Sequence, residues 1–201
     1  MAHKGRTPGI WTPANVVTCV RMVLVPVWLL VAELQPTTTP EAFDWPRFGV
    51  FLFFVALCAT DKLDGWLARS RGEVTTFGKF LDPIADKLIV VVCLCYLLER
   101  GYVTSWVLLV IVAREFIVSG VRMVVASDGV VVAASNLGKA KTATTMVGIC
   151  GLLWCMALPE GWALQVLLVV SNVLVAAAVV LTVVSGVDYL VKAWPTLAKG
   201  E

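Results

Sequence analysis

The chain has 201 residues, 59% of them hydrophobic, and a formal net charge of +2. Soluble domains are about 45–50% apolar, so this excess, gathered into long runs with a mean hydropathy of +0.88, excludes an ordinary soluble domain. The small net charge and lack of a basic tail give no argument for a nucleic-acid partner, and a single histidine, His3 in a polar tail, argues against histidine-based acid–base or triad chemistry.

A spanning helix needs about 20 mostly apolar residues, which leaves room for about six spans and little else. The expected architecture is one all-α integral membrane domain of six transmembrane helices over residues 14–191, between a cytoplasmic N-terminal segment, 1–13, and a cytoplasmic C-terminal tail, 192–201. The first apolar run is too long for a signal-peptide core and shows no small-residue cleavage site, so it reads as a retained first span at 14–35. It carries Asn15, which suits either a helix cap or a ligand contact, and Arg21, which suits either a ligand or a structural pair. The linker QPTTTPEAFDWP leads to a second span at 47–69, and SRGEVTT leads to a third at 78–99. Pro83 lies near the start of the third span, where a proline fixes a first helical turn.

The fourth span, 103–126, contains AREFIVSGVRM, with Arg114, Glu115, Ser119 and Arg122 in an otherwise apolar helix. Glu115, Ser119 and Arg122 fall within about 60° of one face, with Arg114 about 80° from Arg122. An intramembrane arginine marks either a site or an internal Arg–Glu pair that locks the bundle. The fifth span, 136–158, opens NLGKAKTATT, placing Lys139 and Lys141 at its first turns, as ligand contacts or as snorkelling lysines. The sixth, 163–191, reads as generic membrane helix. All six cysteines lie in apolar runs, as small packing groups without metal-site spacing. Lys4, Arg6, Arg69, Arg71, Lys79, Lys139, Lys141, Lys192 and Lys199 fall on one side of this arrangement, and Arg47 and Arg100 on the other. The positive-inside rule then puts both termini and the 60–87 stretch on the cytoplasmic face of the cell's inner (plasma) membrane.

That stretch holds the densest charge. Asp61 and Asp64 close the second span about 60° apart, and Asp82 and Asp86 open the third about 40° apart. A short connection lets these four carboxylates converge. Close carboxylates repel unless protonated or neutralised, and hard divalent cations such as Mg²⁺ or Mn²⁺ take oxygen ligands and bridge them to phosphates. The competing reading is salt-bridged helix ends, with Lys62, Arg69, Lys79 and Lys87 as partners. Gly65, Ala68 and Gly78 lie beside the aspartates in sequence; small residues there either leave room for a ligand or allow close helix packing.

The spacing D-x2-D-G-x2-A-R-x8-G-x3-D-x3-D, carried by Asp61, Asp64, Gly65, Ala68, Arg69, Gly78, Asp82 and Asp86, resembles the signature of the CDP-alcohol phosphatidyltransferases. The resemblance implies six transmembrane helices, a homodimer, and transfer of a phosphatidyl or related group from a CDP-linked lipid to an alcohol, with release of CMP. It implies a two-metal site on Asp61, Asp64, Asp82 and Asp86, with Asp86 also taking the proton from the attacking hydroxyl. Gly65, Ala68 and Arg69 would cradle the nucleotide, with Thr75, Asn15 and Thr18 as further candidates.

The opening Pro13, Ala14, Asn15, Thr18, Arg21 and Pro26, the R-E-x3-S-x2-R helix and the G-K-x-K-T run resemble the phosphatidylglycerophosphate synthase branch, with Ala14 as a departure between Pro13 and Asn15. That branch joins CDP-diacylglycerol to sn-glycerol 3-phosphate. By this resemblance Arg114, Arg122, Lys139 and Lys141 are candidates for the acceptor phosphate, since each can donate to it. Inositol phosphate or phosphatidylglycerol as acceptor is the alternative within the family. A divalent-cation channel or transporter is the alternative outside it, disfavoured because the aspartates gather at one membrane face.

Overall fold

The computed structural model of the chain describes residues 11–38, 40–71, 75–127 and 136–198; the side chains of residues 14, 61–71, 76, 79, 127, 196 and 197 lie outside that description. Among the described residues there are helices and no strands: α1 (Pro13–Glu33), α2 (Trp45–Arg71), α3 (Thr76–Glu99), α4 (Ser105–Ser127), α5 (Asn136–Cys155) and α6 (Trp162–Leu197). Each expected span coincides with one helix. The largest departure is at the C-terminal end, where α6 runs past the expected limit at 191 to Leu197.

The helices fall into two compact units, Met1–Pro36 with Pro46–Cys93, and Thr37–Trp45 with Leu94–Glu201. In the first unit, Trp28 of α1 is completely buried. Its ring meets Phe54 of α2 at 5.7 Å between centroids, and its indole N–H donates to the Val50 carbonyl at 3.0 Å. That bond satisfies the one polar atom of an otherwise apolar plug. In the second unit, α6 is the spine against which α5 and α4 pack. Gly148 of α5 approaches so closely that a Cβ there would lie 2.9 Å from a Val175 methyl and 3.2 Å from its backbone nitrogen. The end of α3 is closed within this unit by Gly101, at φ +77°, whose N–H donates to Leu98 while that of Tyr102 donates to Leu97. This is a Schellman arrangement that uses glycine's access to the left-handed region.

Two of these helices turn long apolar faces outward while burying polar residues among apolar ones. Along α1 the buried positions include Asn15, Thr18 and Arg21, while Val16, Val20, Val23, Val27 and Leu30 are exposed. Along α6 the buried positions include Ser171, Thr182 and Ser185, while Val166, Val169, Val173, Val180 and Val187 are exposed. Among the described residues, Asn15–Glu33 and Trp162–Pro195 are long and apolar enough to cross a membrane, and Trp45–Thr60 is a shorter apolar stretch. The sequences of α3, α4 and α5 carry charges that interrupt their apolar runs: Asp82, Asp86 and Lys87; Arg114, Glu115 and Arg122; Lys139 and Lys141.

Candidate active site

The first unit builds its polar site between α1 and α3. Thr75 caps α3: its hydroxyl accepts from the Gly78 N–H at 3.0 Å, as an N-cap threonine does for a third-position amide. The same hydroxyl accepts from the Asn15 amide at 2.8 Å. Thr12, not Asn15, caps α1, accepting the Asn15 N–H at 3.3 Å. Asn15 is thereby released to reach across to α3. Pro83 does not set the start of α3, because the helix begins at Thr76 and Thr75 does that work. Pro83 sits inside the helix, where it withholds one N–H from the carbonyl four residues earlier.

Gly78 has a structural reason. A Cβ there would lie 2.5 Å from the Asn15 side-chain oxygen and 3.2 Å from the Thr75 hydroxyl. The missing side chain therefore makes room for Asn15, which favours close helix packing at Gly78 over room for a ligand. Gly78→Ala should displace the buried Asn15 amide and break its bond to Thr75. Overpacking of this kind costs about 1–3 kcal/mol, to be read as a lower unfolding temperature of the detergent-solubilised protein.

One turn further along each helix, the Thr18 hydroxyl donates to Asp82 Oδ1 at 3.2 Å. One turn beyond that, Arg21 Nη1 lies 2.9 Å from Asp86 Oδ1. The three α1 residues are spaced three apart, so successive side chains turn by about 60° and share a face. All three are buried. The sequence alone leaves Arg21 open between ligand and structural pair, and sequence reasoning missed that Asn15, Thr18 and Arg21 form a single stripe; their spacing is the signal that could have found it.

The side chains of Asp61, Asp64, Gly65, Ala68 and Arg69 lie outside the described residues, although their backbone continues α2 as a helix to Arg71. The donor set can still be tested on α3. Asp82 and Asp86 are four apart on one helix, and the Asp86 side chain is 48% exposed while its arginine partner is 1% exposed. Carboxylate oxygens presented this way, with no histidine or cysteine within either helix turn, fit a hard divalent cation.

The second unit holds a separate charged cluster, on α4, α5 and α6. Glu115 accepts from Lys141 Nζ and, at 3.1 Å, from Arg114 Nη1. Arg114 also donates to Ser185 Oγ at 3.3 Å, and its stem passes Gly186, where a Cβ would lie 3.1 Å from Arg114 Cγ. Two of the expected acceptor residues, Arg114 and Lys141, are therefore brought together on one carboxylate. The other two are elsewhere: Arg122 stacks over the Tyr189 ring at 5.7 Å, and Lys139 is exposed at the start of α5.

Comparison with known proteins adds an independent line. The family model described as CDP-alcohol phosphatidyltransferase matches residues 11–187. A Bacillus subtilis protein named CDP-diacylglycerol--glycerol-3-phosphate 3-phosphatidyltransferase is 38% identical over 196 residues, covering 91% of this chain and 95% of the relative. A Mycobacterium tuberculosis protein named "Probable phosphatidylglycerophosphate synthase" is 39% identical over 180 residues, covering 90% of this chain and 80% of the relative. An Escherichia coli protein with the same name as the Bacillus relative is 38% identical over 145 residues, covering 70% and 75%.

Proposed function

Since the chain belongs to the CDP-alcohol phosphatidyltransferase family, we propose that it transfers the phosphatidyl group of CDP-diacylglycerol to sn-glycerol 3-phosphate, giving phosphatidylglycerophosphate and CMP. The observation that carries this reading is the pair Asp82 and Asp86, set one turn apart on α3 and held by Thr18 and Arg21, in a chain whose relatives bear that activity in their names.

The family depends on divalent metal. In this chain Asp61, Asp64 and Asp82 would hold two ions, Mg²⁺ or Mn²⁺, with Asp86 at their edge. When bound, such ions neutralise charge on the pyrophosphate and on departing CMP. The rest falls to side chains. Asp86 accepts the proton of the acceptor hydroxyl as its oxygen bonds to the phosphatidyl phosphorus and the bond to CMP breaks. Gly65, Ala68 and Arg69 hold the nucleotide, and Asn15, Thr18 and Thr75 serve that end by fixing α1 on α3. Arg114 and Lys141, pre-assembled on Glu115, are the pair best placed to take the acceptor phosphate; Arg122 and Lys139 stand apart from them.

The reading includes six membrane crossings, with both termini and the aspartates cytoplasmic, and a homodimer as the working form. The outward apolar faces of α1 and α6 support the membrane setting, since a protein in water rarely exposes such continuous apolar surface. Exposed tryptophans support the crossings. Trp45, Trp106 and Trp162 stand at the first turns of α2, α4 and α6, and Trp194 stands in the last turn of α6, as interfacial anchors do.

Detergent-purified protein supplied with CDP-diacylglycerol and Mg²⁺ or Mn²⁺ should release CMP with glycerol 3-phosphate, and not with inositol phosphate or phosphatidylglycerol. Release with another acceptor would keep the aspartate chemistry and overturn the assignment of Arg114 and Lys141. Absence of release with all three would overturn the transferase reading.

A further inference from the structure

Read from sequence alone, α6 is generic membrane helix, yet its second half buries polar groups beside α4. Thr182 and Ser185 are both buried. The Thr182 hydroxyl stays on its own helix, donating to the Ala178 carbonyl at 2.6 Å. The Ser185 hydroxyl donates to the Thr182 carbonyl at 3.3 Å, and its oxygen also accepts from Arg114 Nη2 of α4 at 3.3 Å. At the next position Gly186 has no side chain, where a Cβ would lie 3.1 Å from Arg114 Cγ. Two adjacent residues of α6 thus give one arginine room for its stem and an acceptor for its head.

Glu115 by itself holds that head loosely. It meets Arg114 Nη1 at 3.1 Å, but it is the next residue on the same helix, and adjacent side chains leave a helix about 100° apart. A planar fork held at one nitrogen can pivot. A second contact, on the other Nη and from another helix, fixes its plane. Serine suits this task because a hydroxyl accepts from the guanidinium without cancelling its charge, whereas a carboxylate would compete with a phosphate for it. The Arg114 side chain remains 17% exposed, so part of the fork is open to a ligand.

We propose that Ser185, in the space left by Gly186, is a positioning residue for Arg114 and thereby sets the affinity for the phosphate monoester of the acceptor. The substrate class rests on the transferase reading, and the residues rest on the packing of α4 against α6.

The test compares wild type with Ser185→Ala, Gly186→Ala and Ser171→Ala in the full chain, purified in detergent, with both substrates varied. Ser185→Ala should raise KM for glycerol 3-phosphate about 10-fold, as for loss of one hydrogen bond to a charged group. KM for CDP-diacylglycerol and kcat should stay within about 3-fold, since the contact binds ground state and transition state alike. Gly186→Ala removes a helix-weakening glycine, so its unfolding temperature should stay near that of wild type. Its added Cβ presses on the Arg114 stem, and the acceptor KM should rise about 3-fold through misplacement of the fork. Ser171 is a buried serine of the same helix, set against Gly151 of α5 and about 21 Å along the helix from Ser185. Ser171→Ala should change stability and leave both KM values unchanged. The same ranking is read without turnover, from the concentration of glycerol 3-phosphate that half-saturates its rise in unfolding temperature.

An unchanged acceptor KM in Ser185→Ala would overturn the proposal. So would equal rises in both KM values, a loss confined to kcat, or the same acceptor effect from Ser171→Ala, which would make it a matter of α6 packing in general. Gly186→Ala decides if Ser185→Ala does not fold. If neither folds, the contact is structural and the proposal falls. A wild type that releases no CMP with glycerol 3-phosphate removes the transferase reading, and the half-saturation comparison then still decides whether Ser185 positions Arg114 for phosphate. A wild type whose unfolding temperature also ignores glycerol 3-phosphate overturns both.

Discussion

Asp86→Asn should lower CMP release by about 100- to 10,000-fold, the range a positioned general base supplies, while the protein still binds CDP-diacylglycerol. The amide keeps the size of the side chain and can still accept from Arg21 through its oxygen, but it cannot take a proton from the acceptor. Arg21 would then be buried against a neutral partner, so some loss of thermal stability accompanies the kinetic loss. The two are separated by assaying well below the unfolding temperature and by following the CMP- or CDP-lipid-dependent rise in that temperature. Turnover near the wild-type rate would remove Asp86 from the proton transfer.

Glu115→Leu should be the most destabilising single change in the second unit. Glu115 is the shared anion of Lys141 and Arg114, and the three side chains are 21%, 8% and 17% exposed. Removing one partner from a fully buried ion pair costs about 3–5 kcal/mol, and this part-buried cluster should lose up to that amount, because Lys141 and Arg114 are left without their shared anion. Pairing it with Lys141→Met removes two opposite charges together, so the double variant should be more stable than the sum of the two single losses allows. Thermal unfolding in detergent reads both effects. Additive losses would show that Glu115 and Lys141 are not coupled, and would send Lys141 back to the role of a snorkelling lysine.

The helices were legible in the sequence because their apolar runs are long and their breaks are marked by proline, glycine and charge. Asp82 and Asp86 were legible as neighbours because residues four apart on one helix lie on the same face. What escaped was the partnership between helices. Gly78 suited either a ligand or close helix packing, and it accommodates Asn15 of α1. Thr75 stood out only as a nucleotide candidate in a loop, and its capping of α3 and its bond to the Asn15 amide were not visible. Pro83 looked like a helix start, and the helix begins earlier. An Arg–Glu pair on α4 was one of the readings, but Lys141 joins it on Glu115 from another helix. Periodicity tells which residues share a face of one helix and says nothing of which other helix that face meets. Capping hydroxyls, tight glycine contacts and cross-helix ion pairs therefore come into view only with the fold.

The stripe on α1 also bears on how the chain is made. During synthesis α1 emerges long before α3, and for that interval Arg21 has no Asp86 to meet. An arginine near the middle of an inserting helix carries a penalty of about 2.5–3.5 kcal/mol on insertion scales, against the apolar valines and leucines that surround it. The bond that orients the Asp86 carboxylate is thus also one that offsets the cost of carrying Arg21 in an apolar helix.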